Sequence, residues 1–318
     1  MYTDIWKQNF TNTSDLLSFC QIDLEKALLS PDFPCNVPKR IAEKIEKGNS
    51  DDPLFLQFVP QRAEQIHTEG FTLDPLEEEQ AQITPCLLQK YQGRALLITC
   101  PSCCMHCRFC FRRHFSYQTT TFTEELAWLE QHDEIEEVIL SGGDPLSLST
   151  PALSKLFERL NCIDHLQRIR LHSRFPIGIP ERIDQELLEL FSQCPKQIIF
   201  VLHINHPREL DEEVASRLSL LQRAGIPILS QTVLLKGVND SLETLQELMR
   251  TLSNNAIIPY YLHQLDPVDG VSHFHVLDER AKKIVTELHK TLSGYMVPRL
   301  VQELPGKSAK QPLLLPEV

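Results

Sequence analysis

From Arg94 onward, short apolar segments alternate with amphipathic ones, and this alternation constrains the fold more than any other feature of the chain. The apolar segments predict strands at residues 95–100, 136–140, 168–172, 197–203, 227–234 and 256–262. The amphipathic stretches predict helices near 122–131, 151–160, 182–193, 207–223, 241–253 and 278–293. Strands that alternate with helices pair in parallel through right-handed crossovers. The sequence therefore predicts an α/β fold with a parallel sheet of six strands.

Polar residues follow the C-terminal ends of several predicted strands. The second strand runs into Gly142, Gly143 and Asp144, and the fourth ends at His203. The fifth contains Gln231, and the sixth is followed by Asp266. In barrels of parallel strands, active sites lie where strands end and the following loops begin. We therefore expect these side chains to surround a single catalytic opening.

The first predicted strand leads into three cysteines spaced C-x3-C-x2-C, namely Cys103, Cys107 and Cys110. Thiolates are the usual ligands of iron–sulfur clusters. Three ligands for the four irons of a cubane cluster leave one iron free to bind another molecule. The alternative is a zinc site, which would need a fourth ligand. That ligand could come from Cys100, Cys104 or His106.

Charge and cysteine usage limit the classes of partner. The formal net charge of −12 disfavours a nucleic-acid partner. No apolar run is long enough to cross a bilayer, and the polar start lacks the apolar centre of a signal peptide. Ten cysteines in such a chain predict a reduced, cytoplasmic protein. The cations within 90–94 and 108–113 suit small anionic groups, whereas the acidic run Glu77 to Glu79 is expected to be a solvated face.

Several stretches together resemble the radical S-adenosylmethionine (SAM) lysine 2,3-aminomutase family. They are KYQGRALLI, CRFCFRRHF, LSGGDPL, HINHPRE, QTVLLKGVND, YYLHQLD, GYMVPRL and PGKSAKQPL, spread from residue 90 to residue 313. Within this family, the chain is most similar to the short bacterial proteins that serve the (R)-β-lysylation of translation elongation factor P. The resemblance implies a partial (β/α)6 radical SAM barrel. It also implies a helical N-terminal extension over residues 1–88 and a core over residues 89–318 that ends in a segment binding pyridoxal 5′-phosphate (PLP).

The resemblance implies an isomerase that converts L-α-lysine to β-lysine with a 4Fe–4S cluster, SAM and PLP. In such enzymes, a 5′-deoxyadenosyl radical abstracts hydrogen while the amino group moves from C2 to C3. A functional link to a β-lysine ligase acting on elongation factor P is also implied. The alternatives are an aminomutase for another amino acid such as glutamate, a radical enzyme of different chemistry, and a non-catalytic iron–sulfur or zinc module. A glutamate enzyme would need a cation in place of Asp266.

The same resemblance assigns residues to the cofactors. Cys103, Cys107 and Cys110 are implied to bind the cluster. Phe109 occupies the position before the last cysteine, where the family favours an aromatic residue. The remaining cofactor contacts fall to the backbone of the glycine motif, to two side chains on strands and to a phosphate site near Lys90: Gly142, Gly143, Asp144, His203, Gln231, Tyr91 and Arg94. Without the resemblance, a turn, core histidines and surface cations are the ordinary explanation of these residues.

Lys310 is implied as the residue that forms an imine with PLP, and Lys307 is the alternative. Arg112 is implied to bind the substrate carboxylate. Asp266 and Glu303 are implied to bind the distal ammonium of lysine, with Glu303 standing in the place of a family acid near the imine lysine. The alternative is that these residues have no function, with Lys310 in a mobile basic tail and Asp266 as an ordinary loop carboxylate.

Overall fold

The structure is a computed structural model that describes residues 1–315. Its strands form one sheet in which their spatial order is their order in the sequence. They are β1 (Gln82–Thr84), β2 (Leu87–Tyr91), β3 (Arg94–Cys100), β4 (Glu137–Gly142), β5 (Arg168–Ser173), β6 (Gln197–His203), β7 (Ile228–Val233), β8 (Ile258–His263), β9 (Arg299–Gln302) and β10 (Gln311–Pro312).

Strands β3 to β9 pair in parallel, whereas β1, β2 and β10 pair with their neighbours in antiparallel fashion. The predicted strands correspond to β3 to β8, which confirms the α/β sheet of parallel strands. The sequence analysis missed β9, because its four residues are too few to give a period. Within residues 1–315, β1 and β10 do not pair with each other, so the barrel is open.

Helices connect the parallel strands, as the sequence predicted. The helices are α1 (Tyr2–Trp6), α2 (Thr13–Cys20), α3 (Lys39–Lys44), α4 (Pro53–Phe58), α5 (Thr123–Gln131), α6 (Thr150–Asn161), α7 (Phe175–Gly178), α8 (Gln185–Ser192), α9 (Glu212–Arg223), α10 (Leu242–Asn254) and α11 (Asp278–Thr291). In the part of the chain that the structure describes, no helix is both long enough and apolar enough to span a bilayer.

Helix α9 begins later than the predicted start at residue 207. The Asp211 carboxylate accepts a hydrogen bond from the backbone N–H of Val214 at 2.9 Å and caps the helix there. Residues Pro207–Glu209 form a separate 3-10 turn. Leu218 and Val214 are buried on the inner face of α9, and the chain leaves the helix through Gly225 at φ +79. A capping carboxylate thus decides the boundary, as is usual at helix N-termini.

The core lies between the sheet and the surrounding helices. Leu97, Val138, Leu171 and Phe200 on the central strands are fully buried. Along β5 and β7 buried and partly buried residues alternate, because successive side chains of a strand point to opposite faces of the sheet. The packed sheet fixes the positions at which the strands end, and therefore the positions of the loops that follow them.

Helices α1 to α4 lie before the sheet, and Asn36, between α2 and α3, donates a hydrogen bond to the loop that follows β3. The sheet itself begins at Gln82, so β1 and the start of β2 fall within the range predicted as the helical extension. Arg40 on α3 joins this region to the barrel through ion pairs with Glu181, Asp211 and Glu213. The N-terminal region is therefore packed on the barrel rather than separate from it.

Candidate active site

A cavity of about 540 Å³ lies at the C-terminal ends of the parallel strands. Its lining includes every side chain and glycine that the sequence analysis assigned to the cluster, the cofactors or the substrate. These are Tyr91, Arg94, Cys103, Cys107, Phe109, Cys110, Arg112, Gly142, Gly143, Asp144, His203, Gln231, Asp266, Glu303 and Lys310. The volume is within the range of sites for small molecules.

The cysteines in and around the loop after β3 fall into two groups. Cys100 donates its thiol to the Asp144 carbonyl at 3.2 Å, and Cys104 donates to the Phe175 carbonyl at 3.8 Å. The thiols of Cys103, Cys107 and Cys110 donate to no acceptor among residues 1–315. The thiols of Cys103, Cys107 and Cys110 are therefore available to bind a ligand, which agrees with the predicted set of cluster ligands.

Burial raises the pKa of all three available thiols, that of Cys110 to about 11. Metal binding would therefore have to release their protons. Within the described part of the chain, no three Cys, His, Asp or Glu side chains converge on a point where one ion could bind. A cubane cluster differs from a single zinc ion in this respect, because each thiolate binds a different iron.

The N-terminal helical region holds the cysteine loop by its backbone. The Asn36 amide donates to the Cys103 carbonyl at 3.0 Å, and the Asn9 amide donates to the Cys104 carbonyl at 2.7 Å. The backbone N–H of Arg108 donates to the backbone carbonyl of Gln57 at 2.8 Å. Sequence analysis found nothing functional before residue 70, because these contacts come from single polar side chains without a motif.

The glycine motif after β4 packs directly on the cysteine loop. A Cβ at Gly143 would lie 2.4 Å from the Ser102 carbonyl oxygen, and Gly142 has φ +109. Only glycine fits both demands. The N–H of Gly143 donates to the Cys100 carbonyl, whereas its own carbonyl accepts no hydrogen bond from the described residues. That carbonyl is the free backbone acceptor that the resemblance implies for the cofactor ammonium.

The Asp144 carboxylate has a structural role in this arrangement. It accepts hydrogen bonds from the Ser173 hydroxyl at 2.8 Å and from the backbone N–H groups of Leu146, Arg174 and Phe175. Burial raises its pKa to about 6 despite these donors. The contacts tie the end of β4 to the end of β5, so the side chain positions the motif.

A chain of alternating charges runs across the cavity. Arg112 forms a two-pronged ion pair with Glu78 at 2.6 and 2.8 Å. Lys90 lies 3.2 Å from Glu78 and 3.1 Å from Glu303. Glu303 also pairs with Lys310. Arg112, assigned to the substrate carboxylate, and Lys310, assigned to the imine, are therefore linked through three residues, namely Glu78, Lys90 and Glu303.

The expectation that Glu77 to Glu79 form a solvated face is wrong for Glu78. Its side chain is buried, while Glu77 and Glu79 are exposed. Burial would raise the pKa of Glu78, but the charge of Arg112 outweighs it and the pKa is lowered. No local pattern could reveal this burial, because its partners lie on other elements of the fold.

The two carboxylates assigned to the substrate ammonium differ in electrostatic state. Burial would raise the pKa of Glu303, but the charges of Lys310 and Lys90 lower it to about 2. Burial and the charge of Glu303 together raise the pKa of Asp266 to about 7. The Asp266 carboxylate forms no hydrogen bond or ion pair with the described residues. It is therefore the acid that a cationic ligand would stabilise most.

Lys310 and Lys307 occupy different environments. Lys310 lines the cavity, pairs with Glu303 and has its ammonium 6.0 Å from the centre of the Tyr261 ring. Lys307 is exposed and does not line the cavity. Of the two, only Lys310 is placed to meet a bound aldehyde.

Three histidines from different strands form a second group that the sequence analysis mostly missed. The Nδ1 of His172 lies 3.2 Å from the Nε2 of His203, and His263 lines the same cavity. Burial lowers the pKa of all three, that of His203 to about 3, so they are neutral. Within residues 1–315, the Nε2 atoms of His172 and His263 are buried without partners. The alternation of side chains along β5 and β8 is the signal that could have predicted them.

The remaining predicted residues line the same space. The Arg94 guanidinium lies 4.6 Å from the centre of the Tyr91 ring, and Gln231 projects from β7. Phe109 packs edge-to-face on Phe274, with ring centres 6.3 Å apart. These contacts place a cation and a phenol together at one side of the cavity, where an anionic group would bind.

The side chains fit the groups that the resemblance implies. Three thiols without acceptors suit a cluster, and the glycine motif gives a molecule bound there close access to the backbone. The cavity also offers a lysine, an arginine and unpaired buried nitrogens for a polar aromatic phosphate.

Comparison with known proteins decides the family. The chain is 42% identical over 313 residues to the L-lysine 2,3-aminomutase of Escherichia coli, covering 95% of this chain and 91% of that protein. It is 44% identical over 283 residues to the L-lysine 2,3-aminomutase of Haemophilus influenzae, covering 87% of this chain and 84% of that protein. The chain belongs to the L-lysine 2,3-aminomutase family. Similarity on this scale includes both the cysteine loop and the other strand ends.

Members of the L-lysine 2,3-aminomutase family are isomerases, and the assignment confirms the resemblance predicted from the motifs. Among solved structures, a radical SAM methyltransferase from Sphaerobacter thermophilus matches with a TM-score of 0.50 and 18% identity, over 68% of each chain. At this identity the likeness concerns the fold alone, and it confirms the predicted partial barrel. No protein-family model matches the chain.

Proposed function

We propose that this chain converts L-lysine to β-lysine by moving the amino group from C2 to C3. The observation that carries the proposal is the convergence on one cavity of Lys310, an acidic pair and three thiols that donate to no acceptor among residues 1–315. Membership of the L-lysine 2,3-aminomutase family supports it. When bound, a 4Fe–4S cluster supplies an electron, SAM supplies a carbon radical and PLP supplies an electron-accepting ring.

Cys103, Cys107 and Cys110 would hold the cluster, and the glycine motif with its free Gly143 carbonyl would hold SAM beside it. Tyr91 and Arg94, with Gln231 and the neutral His203, would hold PLP. A guanidinium suits a phosphate because it donates in a planar fork. These assignments extend the resemblance to side chains whose positions in the cavity are compatible with it.

Arg112 binds the lysine carboxylate in this proposal. Its Nε and Nη2 atoms are taken by Glu78, while Nη1 makes only 3.4 Å contacts with the Ser141 hydroxyl and the Gly142 carbonyl. A carboxylate can therefore bind on the Nη1 side without displacing Glu78. Glu78 orients the guanidinium because a buried two-pronged pair fixes its plane.

Asp266 and Glu303 bind the distal ammonium of lysine. In the described structure Glu303 holds the Lys310 ammonium, and reaction of Lys310 with an aldehyde would take that ammonium away. Of its two cations, Glu303 would then keep only Lys90, which lies 3.1 Å away. The ammonium of the substrate can take the place of the lost cation, so the same acid can contact both the substrate and Lys310.

Product analysis tests the proposal. Protein reconstituted anaerobically with iron and sulfide would be incubated with isotope-labelled L-lysine, SAM, PLP and dithionite. We expect labelled β-lysine to accumulate, and none to form with a Cys107→Ala variant. Formation of a β-amino acid from glutamate but not from lysine would contradict the substrate. A protein that binds metal stoichiometrically but leaves both amino acids unchanged would contradict the enzyme class.

The resemblance to the elongation factor P branch supports a finer proposal. We propose that the β-lysine serves the modification of translation elongation factor P through a separate β-lysine ligase. We also propose a cytoplasmic location, which the ten free thiols support. Residues 1–88 would act as an extension that covers the cysteine loop, and residues 89–318 as the catalytic core. Pull-down of a ligase with the intact protein would test the partner.

A further inference from the structure

Arg174 contacts a cysteine of the predicted cluster site, and nothing in the proposed reaction uses it. Its Nη1 donates to the Cys107 sulfur at 3.2 Å. Its Nη2 donates to Glu209 at 2.6 Å and to the Gln57 side-chain carbonyl at 2.7 Å. The side chain lies at the end of β5 and lines the cavity. One buried guanidinium thus connects the sulfur, the barrel and the N-terminal helix α4.

The contacts around Arg174 leave it no freedom to turn away. The side chain is only 7% exposed. The guanidinium carbon lies 4.8 Å from the Phe58 ring centre and 5.2 Å from the Phe109 ring centre, so two aromatic rings enclose it. A buried guanidinium held this tightly keeps its donor directed at the sulfur without reorganisation.

The charge of Arg174 is only partly balanced by Glu209. That carboxylate also accepts hydrogen bonds from the Gln57 side-chain amide at 3.1 Å and from the backbone N–H groups of Asn205 and His206 at 3.1 and 2.9 Å. Its negative charge is therefore shared among several donors on the side of the guanidinium away from Cys107. The positive edge of Arg174 is the part that faces the sulfur.

We infer that Arg174 sets the reduction potential of the iron–sulfur cluster through its charge-assisted hydrogen bond to Cys107. Hydrogen bonds to cluster sulfurs and local charge are known determinants of such potentials. Reduction adds one electron to the cluster and increases the negative charge on its ligands, so a nearby cation stabilises the reduced form. The electron comes from a low-potential one-electron donor, and no bond to Cys107 is made or broken.

The inference depends on the proposed function only because it requires a bound cluster. Arg174 is a positioning and tuning residue, since it touches a ligand of the cluster rather than a reacting atom. The Gln57 side chain on α4 accepts a hydrogen bond from Nη2 of Arg174. The N-terminal helical region therefore also helps to hold Arg174 in place.

The test is an anaerobic redox titration of the reconstituted full-length protein, followed by electron paramagnetic resonance of the reduced cluster. Arg174→Gln removes the charge, and Arg174→Lys keeps it but loses the fork. Glu209→Gln keeps the shape of the acid and removes its charge. Arg182→Gln is the matched control, because Arg182 is also buried but donates to Leu146, Leu148 and Thr150 instead.

We expect Arg174→Gln to lower the midpoint potential and Glu209→Gln to raise it, with a smaller decrease for Arg174→Lys and no change for Arg182→Gln. For Arg174→Gln the ratio of reduced to oxidised cluster at a fixed potential should fall by about tenfold, a shift of about 59 mV for one electron. A general loosening of the core would not give opposite signs for the two charge removals.

Equal potentials for the wild type and Arg174→Gln would overturn the inference while leaving the proposed function intact. An equal decrease in Arg182→Gln would also overturn it, because the shift would then reflect lost packing. If Arg174→Gln does not fold, the sign of the shift in Glu209→Gln decides, and no increase overturns the inference. Failure of the wild-type protein to assemble a cluster would overturn the proposed function as well.

Discussion

Asp266 and Glu303 show how one cavity gives two carboxylates opposite properties. Glu303 lies between two lysine ammonium groups, so its pKa is about 2 and it is charged at any pH of interest. Asp266 is buried near that charge without a cation of its own, and its pKa is about 7. The resting site therefore contains one permanent anion and one acid that ionises fully when a cation arrives.

A pH dependence follows from Asp266. Below pH 7 the acid is protonated in the empty site, so lysine binding must expel its proton. We expect the KM for lysine to fall as the pH rises to about 7 and then to level off. Asp266→Asn should raise the KM and remove this dependence. Steady-state kinetics across that range would check it, and an unchanged slope in the variant would contradict the assignment.

The same shift has a consequence for stability. Because the pKa of Asp266 is higher in the folded state than in the unfolded state, the protonated carboxyl stabilises the folded protein at low pH. This contribution to the free energy of unfolding is lost as the pH rises from about 4 to about 7. Asp266→Asn should therefore raise the Tm of the cofactor-free protein at pH 8 and have little effect near pH 4. Thermal unfolding at both values would check this.

Glu78 should act on substrate binding through Arg112. Glu78→Gln removes the two-pronged charge pair, and we expect the KM for lysine to rise by about tenfold with a smaller effect on kcat. The cluster content should stay the same, because Glu78 does not contact the cysteines. Glu77→Gln is the matched control, since the neighbouring side chain is exposed. Equal effects of both substitutions would show that Arg112 does not depend on Glu78.

Lys310 and Lys307 can be separated by chemical trapping. Borohydride reduction of the PLP-loaded protein should label the wild type and Lys307→Ala but not Lys310→Ala, because only Lys310 lines the cavity. Mass spectrometry of the labelled peptide would identify the site. Label retained in Lys310→Ala and lost in Lys307→Ala would reverse the assignment.

At the scale of elements, the site depends on loops that pack on each other at the ends of β3, β4 and β5. The glycine motif has its N–H groups bonded to the cysteine loop, and its Asp144 carboxylate is bonded to the end of β5. A displacement of one loop would therefore move the others. This coupling explains why the motif needs two glycines and a short acid in succession.

Gly143→Ala should prevent the loops from packing together. Its new Cβ would lie 2.4 Å from the backbone of Ser102, which cannot rotate away. We expect the reconstituted variant to bind markedly less iron and sulfide and to lose visible absorption. Gly294→Ala is the control, because no atom lies within 4 Å of its Cβ position. Normal cluster content in Gly143→Ala would show that the loops tolerate separation.

At the scale of the whole molecule, the N-terminal region bonds to the cysteine loop, while the segment between β9 and β10 carries Lys310 and Glu303. Lys90 and Glu303 are 213 residues apart in sequence yet form an ion pair. The site is therefore built from both ends of the described chain, with the parallel strands between them.

The proposed covering role of the N-terminal region can be measured. Asn36→Ala removes the hydrogen bond to the Cys103 carbonyl, so we expect the reconstituted cluster to lose its absorption faster in air. Asn255→Ala is the matched control, since the Asn255 amide bonds only within its own helix end. Identical decay rates for the wild type and Asn36→Ala would show that the N-terminal region does not protect the loop.

The sequence by itself determined the parallel strands, the connecting helices and the residues at the strand ends, because hydrophobic period and motif spacing are local properties. It also singled out Cys103, Cys107 and Cys110 as the predicted cluster ligands, because their spacing resembles that of a known family. Only the tertiary structure decided that Glu78 is buried, that Lys310 rather than Lys307 lines the cavity and that Arg174 reaches Cys107. Each of these depends on a partner brought near by strand register and helix packing. The sequence around a charged side chain does not show which distant residue it will contact.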